Sequence, residues 1–65
     1  MSKLKQDAKV VVHNIFGPIT AERVEKFDDS DPKKFLDEVK YLIAGMLGEK
    51  VAEQNLSQLY AKYVQ

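Results

Sequence analysis

The stretch from Pro32 to Leu47 constrains the fold more than any other part of the sequence. Phe35, Leu36, Val39, Leu42, Ile43, Met46 and Leu47 recur at spacings of three and four, which makes one broad apolar stripe on a helix. Lys33, Asp37, Glu38 and Lys40 lie largely opposite. A helix with one apolar face must bury it against another element, and here the cover has to come from more helices. Asp31 is suited to the N-cap and Pro32 to the first helical position, with Ser30 as the alternative cap. Gly48 marks the stop. Gly45 costs about 1 kcal/mol against alanine inside a helix. It is read as a place where another helix comes close.

The rest of the chain follows the same period. Leu4, Ala8, Val11 and Ile15 define one face of a helix over 4–16, although Val10, Val11 and Val12 are β-branched and would suit a strand. Gly17-Pro18 must end it, with the glycine in the left-handed conformation and the proline unable to extend the hydrogen-bond ladder. Pro18 then opens a short helix over 18–28 whose face is Ile19, Arg23, Val24 and Phe27. Ile15, Phe16 and Ile19 are expected to anchor this corner in the core. A last helix over 49–64 carries Val51 (or Ala52), Leu56, Leu59, Tyr60 and Tyr63. The expected fold is therefore all-α, a small bundle of about four short helices in one domain, 1–65. The chain reads without an internal repeat or a linker, and its short connections favour antiparallel neighbours.

Composition narrows the function. With 65 residues the core is thin, and with no cysteine neither a disulfide nor a thiolate metal site can reinforce it. A chain that is 45% apolar and arranged on four amphipathic helices is expected to leave part of an apolar face over. That face is assigned to Leu56, Leu59, Tyr60 and Tyr63 as a candidate interaction surface, open to another protein or to a second copy in a homodimer. Ten basic and ten acidic residues give zero formal net charge, which argues against nucleic acid as the partner. A helix-turn-helix between Ile19 and Leu47 keeps a small helical DNA-binding protein as an alternative, although its turn is acidic and its candidate recognition face carries as many carboxylates as lysines. Gly45-Met46-Leu47-Gly48 has the glycine spacing of a nucleic-acid clamp but apolar residues inside it and no flanking strands. The apolar runs are too short to span a membrane and the first residues do not form a secretion signal, so a cytoplasmic protein is expected.

Catalytic chemistry finds little support. The single histidine, His13, has no cysteine or suitably placed serine to serve. Adjacent carboxylates such as Asp37-Glu38 diverge on a helix. The acidic run Asp28 to Asp31 lacks the glycine and distal glutamate of a calcium loop. No catalytic residue, metal, cofactor or small-molecule substrate is expected.

Two resemblances add to this. The run His13, Asn14, Ile15, Phe16, Gly17, Pro18, Ile19, Thr20 resembles the histidine box of sensor kinases. In that family the histidine is phosphorylated, which would make His13 a phosphoacceptor for a kinase acting in trans. Asn14 stands where that family has an acid, and Phe16 where it has a polar residue. Over most of its length the chain also resembles small helical modules of prokaryotic signalling proteins, some attached to bacterial serine/threonine kinases. "NIFGPITAERV", "FLDEVKYLIAGMLG" and "VAEQNLSQLYAKY" carry that likeness. It implies a non-catalytic role in protein–protein interaction.

Overall fold

Four helices account for nearly all of residues 2–64, the part of the chain that the computed structural model describes. They are α1 (Lys3–Phe16), α2 (Pro18–Glu25), α3 (Pro32–Leu47) and α4 (Glu49–Tyr63). No strand occurs among the described residues. Ser2 caps α1 by accepting from the Lys5 N–H at 3.1 Å, and its own hydroxyl donates to Asp29. Asp31 caps α3 by accepting from the Lys33 and Lys34 N–H groups, as its position before Pro32 suggested. Asp28 accepts from the Ser30 N–H at 2.9 Å, so the acidic run is used to turn the chain and start a helix.

The helices pack as two pairs. α1 lies along α2, α3 lies along α4, and the pairs meet chiefly where α1 touches α4 and α3. The core is shared by all four: Leu4, Ala8 and Val12 from α1, Ala21 and Val24 from α2, Phe35, Leu36, Val39 and Ile43 from α3, and Ala52, Leu56 and Leu59 from α4. Its accessible surface, 4322 Å², is close to the roughly 4,200 Å² that a folded monomer of this mass exposes. A single copy thus closes its own core.

Several expectations change here. In α1 the fully buried valine is Val12, and Val11 is only partly covered. The two residues flank the Leu4–Ala8 line on opposite sides, at about 100° per residue, and the placement of the neighbouring helices decides between them. α2 stops at Glu25, short of residue 28, and Lys26 and Phe27 close it with tight bonds to Arg23 and Val24. Ile19 does not anchor the corner. It is 81% exposed, because α2 turns the smaller Ala21 and Val24 inward. Ile15 and Phe16 do pack against the core. Met46 and Leu47 also leave the stripe for solvent, since the chain turns at Gly48 and nothing covers the last turn of α3.

Both corners between paired helices consist of one glycine. Gly17 has φ +90° and ψ −177°, and Gly48 has φ +93° and ψ 160°. Gly17 is therefore outside the left-handed helical region expected for it from the sequence, and Gly48 shares its conformation. Both occupy the extended positive-φ region, which is essentially reserved for glycine.

Candidate functional site

The α4 stripe singled out from the sequence divides in two. Leu56 is fully buried and Leu59 is 8% exposed, both inside the cluster that contains Phe35, Leu36, Val39 and Ile43. They are core residues and cannot form a contact surface while the chain is folded. Tyr60 and Tyr63 sit half-buried at the rim, with their rings against the core and their hydroxyls committed. Tyr60 donates to Asp37 Oδ1 at 2.6 Å, tying α4 to α3. Tyr63 donates to Asp7 Oδ2 at 2.6 Å, tying α4 to α1. Lys62 adds a longer contact to the same Asp7 oxygen at 3.5 Å.

These two tyrosine–aspartate bonds set the titration of the rim. Each is the leading cause that holds its carboxyl below the ordinary 3.8, helped by Lys33 at Asp37 and by Lys62 at Asp7. Burial, and then the bond to Asp37, pushes the Tyr60 hydroxyl above the usual tyrosine range. The bond to Asp7 does the same for Tyr63. Around the ordinary carboxyl value the unfolded chain therefore binds more protons than the folded one. The contribution of Asp7 and Asp37 to stability is complete above pH ~5 and is lost as pH falls through their lowered folded values. The raised tyrosines act at the other end, where stability falls as pH rises through ~10 and beyond. The double variant Tyr60→Phe/Tyr63→Phe is expected to flatten both limbs, measured as the urea midpoint across pH. Unchanged acid and alkaline slopes would show that these bonds do not persist in solution.

Large apolar side chains are exposed elsewhere, and sequence reasoning did not gather them. They are Tyr41 at 82%, Ile19 at 81%, and Met46, Val10 and Leu47. Tyr41 projects from the face of α3 opposite the core, beside an open groove of about 670 Å³. Ala44 and Gly45 form the small-residue part of its lining, and Lys33, Asp37, Lys40 and Glu49 bring charges of both signs. A Cβ placed on Gly45 would meet nothing within 4 Å, so no helix of this chain approaches there. The expected close contact at Gly45 is absent among the described residues. The sequence signal for this site was an aromatic residue on the polar side of the strongest amphipathic helix. It passes unnoticed when only the stripe is scanned.

Comparison with family models, curated proteins and solved structures finds no match for this chain.

A second, smaller open groove of about 300 Å³ lies beside the α1–α2 corner and includes His13, Asn14, Val10 and Pro18. The His13 side chain is exposed, and its backbone carbonyl accepts the Gly17 N–H at 2.8 Å. Exposure meets one condition for a phosphoacceptor. Lys9, in the same groove, is held at 2.9 Å by Glu25 and at 3.8 Å by Glu22. No helix among the described residues is long and apolar enough to cross a membrane.

Proposed function

We propose that this chain is a non-catalytic protein–protein interaction module with a regulatory role, and that it self-associates through the outer face of α3. The observation that carries this reading is Tyr41, a large aromatic left 82% exposed by a chain whose core is already closed. An aromatic beside small residues, ringed by charge, has the anatomy of an interface centre with a polar rim. Exposed Gly45 weakens α3 with no compensating contact among the described residues. A partner helix seated there supplies a reason for it.

The charges favour a second copy as the occupant. Lys33 lies eight residues before Tyr41 and Glu49 eight residues after it, and both line the groove. Two copies packed antiparallel about Tyr41 place Lys33 of each near Glu49 of the other. Such an arrangement is self-complementary, as a two-fold interface requires. The likeness of the glycine–proline corner to modules of prokaryotic signalling proteins points to the same class of function. Phosphate transfer through His13 is the weaker reading, because Asn14 cannot accept the proton that an acid at that position would take.

Light scattering and sedimentation over a concentration series test this. The parent chain is expected to dimerise, and Tyr41→Lys to weaken the dimer by about 30-fold, the effect of a central interface residue worth about 2 kcal/mol. Lys33→Glu should weaken it as well, and adding Glu49→Lys should restore it. A parent chain that stays monomeric at every concentration, or a Tyr41→Lys variant that associates equally well, would sink the proposal.

A further inference from the structure

Residues 3–22 and 34–53 match one another at an offset of 31 residues. Lys3 and Lys34, Lys9 and Lys40, Gly17 and Gly48, Ala21 and Ala52, and Glu22 and Glu53 are identical pairs. Between them Val12 aligns with Ile43, Asp7 with Glu38, and Phe16 with Leu47. Taken alone these are scattered coincidences, and the sequence read without a repeat. The geometry gives them meaning.

The two glycines have nearly the same backbone conformation, with φ +90° and +93°. Each donates its N–H to the carbonyl four residues back, Gly17 to His13 at 2.8 Å and Gly48 to Ala44 at 2.9 Å. Each accepts from the alanine four residues on, Ala21 at 3.3 Å and Ala52 at 3.2 Å. Across each corner the same ion pair closes the two helices, Lys9 to Glu22 at 3.8 Å and Lys40 to Glu53 at 3.6 Å. At the core positions burial keeps this register, since Ala8 with Val39, Val12 with Ile43 and Ala21 with Ala52 are all buried, while Ile15 and Phe16 pack on the core where their equivalents Met46 and Leu47 are exposed. Exposure does too, since Val10 and Tyr41 are equivalent and both stand in solvent. Even the two open grooves coincide, with Lys9, Val10, His13, Asn14 and Pro18 in one and Lys40, Tyr41, Ala44, Gly45 and Glu49 in the other.

We infer that the chain is two copies of one helix–glycine–helix unit, and that the ten-residue corner, 13–22 in the first and 44–53 in the second, is an interchangeable device that sets the geometry of each helix pair. A two-helix unit with a period of 31 residues is of the size used by helical repeat proteins, in which one unit cannot bury its apolar face and a neighbour completes the core. The units differ beyond the corner. α2 ends at Glu25, while α4 runs on to Tyr63 and brings Tyr63 to Asp7 of the first unit. The extra length of the second unit adds Leu59 and Tyr63 to the contact between the two. This inference is independent of self-association.

Exchanging residues 13–22 with residues 44–53 tests it, because no fully buried side chain changes identity in that exchange. The exchanged chain is expected to remain helical and to melt cooperatively within ~10 °C of the parent. The control exchanges 13–22 with 45–54, which moves each corner by one residue and turns one helix by about 100° against the next. That chain is expected to lose its cooperative transition. An in-register exchange that fails to fold, or a shifted exchange that melts as sharply as the in-register one, would overturn the inference.

Discussion

Replacing Phe35 by alanine is expected to lower the melting temperature by at least ~12 °C. Phe35 is among the largest of the fully buried side chains and comes from α3, the helix that contributes most residues to the core. Truncating a buried phenylalanine costs about 3–5 kcal/mol, from lost transfer energy and from the cavity left behind. A domain of this length has roughly 3–10 kcal/mol in total. At ~4–8 °C of melting temperature per kcal/mol, the loss removes at least ~12 °C and at the lower stabilities removes the transition. Thermal unfolding followed by circular dichroism measures this. Tyr41→Ala is the control on the same helix. It is expected to shift stability by no more than about 0.5 kcal/mol in the monomer, since Tyr41 lies outside the core. Equal effects at the two positions would mean that α3 does not present the face described.

Gly48→Ala is expected to cost about 1–3 kcal/mol although the new methyl touches nothing. The space around the added Cβ is open to 4 Å at both Gly48 and Gly17. The penalty therefore comes from the backbone alone, from holding an L-residue at φ +93° with ψ 160°. The same cost is expected for Gly17→Ala. D-alanine, whose preferred φ is positive, should be accepted at either corner in a chemically synthesised chain. Urea midpoints of the L- and D-alanine variants separate strain from packing. If L-alanine is as well tolerated as D-alanine, the corners do not adopt this conformation in solution.

The two predictions rest on different grades of legibility. Phe35, Leu36, Val39 and Ile43 were readable as core because α3 is long, strongly periodic and bounded by Asp31-Pro32 and Gly48. The position of both corners was equally plain, since glycine before proline and glycine after an apolar stripe have few other uses. Their conformation was not. A left-handed helical glycine and an extended positive-φ glycine look alike in sequence, and the choice depends on the direction of the helix that follows. The burial of Leu56 and Leu59 was hidden for a related reason. Leu56 and Leu59 form an apolar stripe, but a stripe states only that something must cover it. α3 and α1 provide that cover.

Local rules thus determined that there are four helices, the Asp31 cap and the positions of the two glycine corners, because periodicity, capping and backbone freedom act over a few residues. Tertiary structure decided which face of each helix is buried. It put Val12 ahead of Val11, turned Ile19, Met46 and Leu47 outward, buried Leu56 and Leu59, and left Tyr41 beside an empty groove. It also exposed the 31-residue repeat, whose identities are too sparse to notice until two equal corners align them. The reason is the same in each case. Burial is a property of how helices are placed against one another, and no window of residues along one helix contains that information.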